Sequence, residues 1–481
     1  MKVAHRFARN LFWLTATQFL ALSAGFFTVV YSARALGDVA FGQISFAQNL
    51  VNYLLLITDF GFTTKAIPLL AKARERTAAL TDVVVSLRLL LAAFVTAATM
   101  LALVLVPGAE TKKLVVLLFV LTVPAAVFDF GWVFSAHEKM RPVGLLQLFR
   151  NATTLVLLIT ILRFSTKVVT ASLLYFAGAV AAAGLSFIWY RRNFGKLQLS
   201  FSWPQTKPFL SQALPLGLSL LMIRLYYGSD IFFLSYFQGD QMVGWYNAGF
   251  KITNVLIMIA GFYGAVLLPT LSHQITLSAA QAKNIMQQSL RILLVAVLPV
   301  LIAGSVFASE MLTLIYGPAF LPGAAPFRWL LAATGVVFAA VVFTNGMIAF
   351  EMQKFFLGLV SLAAAVNLLL NYFLIPRFAM TGAALTATLA QVMVLGGGVY
   401  ALRRHIDLKE IGVSTLKILL AAALTALTMS ALHPFNIFVA IASGLAVYVI
   451  SLIVLGVLQP SDWTQLLNLL RSRASHGGVS E

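Results

Sequence analysis

An apolar stretch long enough to cross a lipid bilayer recurs about fourteen times along this chain, with only short connectors between. Of the 481 residues, 60% are hydrophobic and 10% are charged. A single soluble core cannot absorb that much apolar surface, because cores stop growing near ~250–300 residues. A bilayer can, at roughly 20 apolar residues per crossing. The stretches lie at 11–33, 41–64, 83–106, 114–134, 145–162, 168–190, 210–236, 243–268, 290–307, 327–350, 355–375, 381–402, 413–432 and 435–458. Each is expected to be a helix, since a helix satisfies its own backbone groups in lipid. A β-barrel is excluded: the runs are continuous, not alternating over ~10 residues. The expected fold is therefore an all-α integral membrane protein of about 14 transmembrane helices.

Cysteine is absent, which removes disulfides and thiolate chemistry. The net charge of +18 invites a nucleic-acid reading, but the placement of the cations argues against one. With the amino terminus in the cytoplasm, about 21 Lys and Arg, such as Lys72, Arg74, Arg191, Arg192 and Arg404, fall inside. About 7, such as Arg34, Lys112, Arg163 and Arg377, fall outside. That asymmetry puts both termini in the cytoplasm and suits contact with anionic membrane lipids. A basic start followed by Ala21-Leu22-Ser23 has the look of a cleavable leader. The repeat described next needs the first span, so it is read as retained.

The chain repeats itself at an offset of 202 residues: Gly37-Asp38 aligns with Gly239-Asp240, Gly42 with Gly244, Asn52 with Asn254, Phe60 with Phe262. Six spans lie between the mates, so the halves run in parallel, as in transporters built from two lobes around a central path. The expected division is 1–200 (helices 1–6), 201–405 (helices 7–12) and 406–481, which holds two added helices and a tail. No soluble domain is present by this reading. The tail carries a weak interfacial segment at Trp463–Leu470.

Polar residues fall on single helix faces. Asn247, Lys251 and Asn254 are spaced i, i+4, i+7, and their repeat mates are Ser45, Asn49 and Asn52, followed by Asp59. Span five carries Gln147, Arg150, Asn151 and Thr154 on one face. Polar groups in a membrane helix face protein or water. Helix–helix hydrogen bonds of ~0.6–2 kcal/mol would explain the amides alone, and the cations favour a cavity. Lys65 and Arg88 lie near helix ends, within snorkelling reach of water. Arg224, near the middle of its span, is not, and a central Arg costs at least ~2.5–3.5 kcal/mol on insertion scales. Asp59, Asp129 and Asp230 are the acids that could neutralise these cations or couple an ion, and Asp230 is a candidate partner for Lys251. Any cation left unpaired would want an anion, and the Arg fork suits phosphate. No GxxxxGK[ST] motif occurs, and the His have no metal spacing. No cofactor or metal is expected.

The segments "ARALGDVAFGQISFAQ" (33–48), "FQGDQMVGWYNAGFKI" (237–252), "LIYGPAFLPGAAPFRWLLAA" (314–333), "VNLLLNYFLIPRFAMTGAALTATLAQ" (366–391) and "HEKM" (137–140) resemble polysaccharide-transporter flippases. These are the O-antigen flippases and relatives of the multidrug/oligosaccharidyl-lipid/polysaccharide exporter superfamily. The resemblance covers nearly the whole chain. It implies two six-helix lobes in a V with two carboxyl-terminal helices added. It also implies a substrate of undecaprenyl-diphosphate-linked oligosaccharide, moved from the inner to the outer leaflet of the bacterial inner membrane, with a polysaccharide polymerase as a candidate partner.

The expected function is such a flippase, working by alternating access. Arg224 and Lys251 would hold the diphosphate. Arg150 and Arg88 would meet it on the cytoplasmic side, and Asn49, Asn52, Asn247 and Asn254 would hydrogen-bond phosphate or sugar. Asp59, Asp129 and Asp230 are the ion-coupling candidates. The first alternative is an H⁺- or Na⁺-coupled multidrug antiporter of the same superfamily. It is disfavoured because the first span carries no acid. The second is a membrane polymerase or glycosyltransferase, which would need a large outer loop or an acid cluster, and neither is visible.

Overall fold

The computed structural model describes residues 2–199 and 203–458. The tail segment Trp463–Leu470 lies outside the described residues. The helices, in chain order, are α1 (Lys2–Leu36), α2 (Asp38–Asp59), α3 (Phe62–Lys72), α4 (Thr77–Leu105), α5 (Glu110–Val120), α6 (Thr122–Ala126), α7 (Gly131–Ala136), α8 (Met140–Ile161) and α9 (Val168–Phe194). They continue with α10 (Trp203–Gly228), α11 (Asp230–Gln238), α12 (Asp240–Leu277), α13 (Ala279–Val306), α14 (Ala308–Tyr316), α15 (Ala324–Ala349), α16 (Gln353–Leu402), α17 (Leu408–Leu432) and α18 (Ile437–Val454). No strand forms among the described residues, and the chain is an all-α membrane protein.

Among the described residues, twelve helical stretches are each long and apolar enough to cross a membrane, and α2 with α3, bent by 46°, makes a thirteenth if counted as one span. Helix α16 runs for 50 residues. At ~1.5 Å per residue that is about 75 Å, more than twice the ~30 Å hydrocarbon core. It breaks at Ala379, where φ is 49° and ψ −134°. A Cβ on Gly382 would lie 2.5 Å from the Leu374 carbonyl oxygen, although eight residues of straight helix separate such groups by ~12 Å. The chain therefore folds back inside α16, and α16 supplies the two spans expected at 355–375 and 381–402. The seventh span is also less regular than its sequence suggests: it is α10 and α11, joined at Ser229.

The repeat has a backbone signature. Gly37 (φ 81°, ψ 178°) and Gly239 (φ 85°, ψ 178°) share one conformation, and each precedes an Asp that opens a helix. Only glycine occupies that region readily. An acid in the first turn then complements the helix dipole. A second pair, outside the 202-residue register, is Glu138 and Glu351, both at φ 59°. The hydrogen bonds also match: Glu138 N to Ser135 O and Lys139 N to Phe134 O, against Glu351 N to Ile348 O and Met352 N to Met347 O.

Two compact units result. One holds Met1–Lys251, Leu312–Pro326 and Val360–Ala387, and the other Ile252–Met311, Phe327–Leu359 and Thr388–Glu481. In the first, α2 and α12 cross where the repeat mates Gly42 and Gly244 meet. A Cβ on Gly42 would lie 2.7 Å from the Asp240 carbonyl carbon, and one on Gly244 3.0 Å from that of Asp38. Mates that contact each other reciprocally mark a local two-fold axis. One turn further along, the mates Asn247 and Ser45 hydrogen-bond at 2.6 Å. Small residues close other crossings too: Gly144 packs on Thr17, and Gly178 on Thr154. In the second unit, α13 and α17 are tied by Lys283 to Asp407 at 3.4 Å and Gln287 to Glu410 at 3.0 Å. Glu310 meets His433 there at 2.7 Å.

Candidate functional site

Helix α2 stays close to the end of α10 because Gly228 has no side chain. A Cβ there would come within 3.1 Å of Asn49 Oδ1 and 3.2 Å of the Tyr53 hydroxyl. Asn49 is 5% exposed, and its Nδ2 donates to the Gly228 carbonyl at 2.7 Å. That bond fixes the amide so that Oδ1 accepts from Arg224 Nη2 at 2.9 Å. Tyr53, one helical turn on, donates to the Arg224 carbonyl at 2.9 Å, and its ring lies 5.3 Å from the guanidinium. The contact is a cation–π interaction worth ~0.5–2 kcal/mol.

These neighbours orient Arg224 without neutralising it. Among the described residues no carboxylate lies within 4.0 Å of it, and its Nε is buried with no hydrogen-bond partner. Lys251, on α12, is half-buried and makes no hydrogen bond or ion pair among the described residues. The two cations lie within electrostatic reach of each other. The first unit thus holds an uncompensated positive pair on apolar helices.

Asp230 lies apart from that pair. It is 5% exposed and accepts from the Tyr246 hydroxyl at 2.6 Å and from Asn371 Nδ2 at 2.9 Å. Asn371 also donates to Asn367 Oδ1 at 3.0 Å, which accepts from Ser229 at the same distance. The pairing of Asp230 with Lys251 that the sequence allowed is not formed; neutral donors surround the carboxylate instead.

The other expected residues divide. Arg88 is 8% exposed; its Nε lies 3.5 Å from Asp59, and its Nη2 donates to the Ala126 carbonyl at 3.2 Å. Asp59 also accepts from Thr63 at 2.9 Å. Asp129 is exposed and caps a turn by accepting from Gly131 N at 2.9 Å. Arg150 is exposed and without a side-chain partner among the described residues, while its neighbour Asn151 donates to the Ala21 carbonyl at 2.7 Å. Asn247 is taken up by Ser45, whereas Asn52 and Asn254 are exposed on their helices and make no hydrogen bond there. Asn49, Asn151 and Asn247 thus hydrogen-bond between helices, as membrane amides do.

Sequence reasoning did not find Tyr53, Tyr246, Ser229, Asn367 or Asn371. Asn367 and Asn371 left a signal, two amides at i, i+4 in an apolar run. The tyrosines left none, because a membrane helix holds Tyr for many reasons. Also unforeseen was a cluster at one end of the bundle. Lys112 there meets Asp240 and donates to Ser235 at 2.8 Å, and its ammonium lies 4.6 Å from the centre of the Phe46 ring. Arg34 donates to the carbonyls of Ile315 and Leu314.

Comparison with known proteins agrees with this architecture. A protein of Escherichia coli (strain K12) named "Putative O-antigen transporter" is 22% identical over 404 residues, which is 80% of this chain and 94% of that protein. Another of the same name from Shigella dysenteriae is 24% identical over 294 residues, 60% of this chain and 73% of that one. Among solved structures, the lipid II flippase MurJ in an inward closed conformation superposes with a TM-score of 0.77 at 14% identity, over 91% of this chain and 97% of that one. An inward-facing multidrug resistance MATE transporter of the MOP superfamily does so with a TM-score of 0.66 at 14% identity, over 80% and 94%. These likenesses show the fold. Residues 7–275, more than half of the chain, match the family described as polysaccharide biosynthesis protein, and the chain belongs to that family.

Proposed function

We propose that this protein is a flippase that moves undecaprenyl-diphosphate-linked oligosaccharide from the inner to the outer leaflet of the bacterial inner membrane by alternating access. One observation carries the reading: a half-buried Arg224 whose fork is held in place by Asn49 and Tyr53, whose Nε is buried without a partner, and which has no carboxylate within 4.0 Å among the described residues. A cation drawn partly out of water without a counter-ion is costly unless an anion completes it. Arg224 would grip the diphosphate through its planar donors, and Lys251 would add a point charge. Asn49 positions Arg224, and Asn247 holds α2 against α12 through Ser45. Asn52, Asn254 and Arg150 remain available to sugar or phosphate. Arg88, already beside Asp59, is assigned to the approach and not to the final grip.

The proposed topology has both termini in the cytoplasm. It is supported by contacts between loop ends that the charge asymmetry assigns to one side. Arg34 reaches Leu314 and Ile315, and Lys112 reaches Asp240, all outside. Arg74 pairs with Glu138, and Lys283 with Asp407, all inside. The division at 1–200, 201–405 and 406–481 rests on the repeat. Asp230, ringed by neutral donors, is the best placed of the three acids to couple an ion. The same residue is what favours the second reading, an H⁺- or Na⁺-coupled antiporter.

The test is transport of a lipid-linked oligosaccharide in proteoliposomes by Arg224→Ala and Arg224→Lys, with expression and thermal stability measured alongside. Losing a charged hydrogen-bonding group costs ~1.5–3 kcal/mol, so Ala should lower transport by roughly 10–150-fold, with Lys between it and wild type. Unchanged transport by well-folded Arg224→Ala would sink the assignment. A loss of anionic substrate transport with retained efflux of a cationic drug would favour the antiporter.

A further inference from the structure

A polar site also lies in the second unit. Two adjoining cavities of about 310 and about 430 Å³ open at the same end of α13, α17 and α18, and Arg291, Glu410 and Ser414 line both. One is faced by Asn284 and Gln288 from α13 and by Thr415 from α17. The other is faced by Lys409 and Lys417 from α17 and closed by Gly456 and Val457 after α18. Helix ends in a membrane protein are commonly polar, so polarity alone says little; the pairing pattern says more.

The acids at this site are engaged. Asp407 is the N-cap of α17, accepting from Lys409 N and Glu410 N at 3.1 and 3.2 Å, and it meets Lys283 at 3.4 Å. Glu410 accepts from Gln287 at 3.0 Å. The ammonium groups of Lys409 and Lys417 have no partner among the described residues. They lie eight residues apart on α17, two turns along one side. Ser414 and Thr415 between them are also uncommitted. Thr425 and Thr428, further along the helix, bond back to the carbonyls of Ala421 and Leu424, as hydroxyls in apolar helices do; Ser414 and Thr415 make no such bond. Two free cations and several free donors therefore share a cleft within the first three turns of a 25-residue apolar helix. That depth is the headgroup zone of a ~30 Å bilayer core.

We propose that this cleft binds the phosphate of an anionic phospholipid from the leaflet it faces, with Lys409 and Lys417 as the paired cations and Ser414 and Thr415 as neutral donors. Basic pockets between helices at the cytoplasmic side take such headgroups, and each cation near the surface contributes roughly fivefold in affinity, so the pair contributes about thirtyfold. The site is independent of the oligosaccharide site and stands whatever that site carries.

The test uses the full-length purified protein in detergent, native mass spectrometry, and dioleoyl phosphatidylglycerol, dioleoyl phosphatidylcholine and inorganic phosphate as probes. Wild type should retain one phosphatidylglycerol in preference to phosphatidylcholine. Lys409→Gln with Lys417→Gln should lose about thirtyfold of that retention, and Lys409→Arg with Lys417→Arg should keep it. Lys354→Gln removes one cation elsewhere in this unit and should change nothing. Equal retention by the Gln pair, or an equal loss in Lys354→Gln, would overturn the site. Displacement of the lipid by inorganic phosphate at equal concentration would show that the cleft takes the free anion and would overturn the lipid as its occupant.

Discussion

Gly42→Ala tests the crossing of α2 and α12. The new methyl would overlap the Asp240 carbonyl, with its carbon 2.7 Å from the carbonyl carbon and 3.0 Å from Gly244 N. Carbon atoms rest at about 3.5–4.0 Å, so the crossing must open by about 1 Å. The opposing atoms are helix backbone and cannot rotate away as a side chain could. Opening by that amount stretches the 2.6 Å bond between Asn247 and Ser45 to about 3.6 Å, beyond hydrogen-bonding range. Overpacking costs ~1–3 kcal/mol and the lost bond ~1 kcal/mol. A penalty of ~2–4 kcal/mol on this arrangement corresponds to roughly 30–900-fold in its equilibrium against an open one. Val243, buried beside the crossing, serves as reporter once changed to Cys, because the chain has no other thiol. Labelling of Val243→Cys by an impermeant reagent added outside should accelerate at least tenfold in the Gly42→Ala background. Gly244→Ala, where the nearest carbon is 3.0 Å away, should give a smaller effect. Gly396→Ala, with nothing within 4 Å, should give none. Equal labelling with and without Gly42→Ala in folded protein would refute the claim that this contact closes the crossing.

Three further outcomes are expected. The diphosphate of the proposed substrate would carry about two negative charges, and a membrane potential contributes about 2.3 kcal/mol per charge per 100 mV. An inside-negative potential should therefore accelerate outward flipping in proteoliposomes at equal pH and Na⁺; a rate that follows only an ion gradient would shift the driving force to Asp230. Thr166→Cys should label from outside intact cells and Arg404→Cys only after permeabilisation, and the reverse would invert the topology. The bonds from the α17 backbone and Lys283 hold the Asp407 carboxyl below the usual carboxylate range. Its stabilising contribution is thus present at and above pH 5 and is lost as pH falls through the depressed value. Thermal denaturation of Asp407→Asn should show a shallower decline than wild type between pH 5 and 3, and parallel curves would contradict the linkage.

Much of this protein was determined by local sequence. The crossings follow from apolar length alone, because lipid forces each such run into a helix whatever surrounds it. The repeat was legible as well, since Gly37 and Gly239 must be glycine to take their backbone angles. Arg224 and Lys251 stood out because a charge in an apolar run has few inexpensive explanations. What the sequence left open was which charges find partners. Arg88 and Asp59 meet only because α2 and α4 pack side by side. Asp230 turns to Tyr246 and Asn371 and leaves Lys251 unpaired. Pairing depends on distances of a few ångströms between helices far apart in the chain, and apolar helices pack in many registers with similar energy. The identity of the cations is written in one dimension; whether they are neutralised, and so whether this bundle has a place for an anion, is decided by tertiary packing.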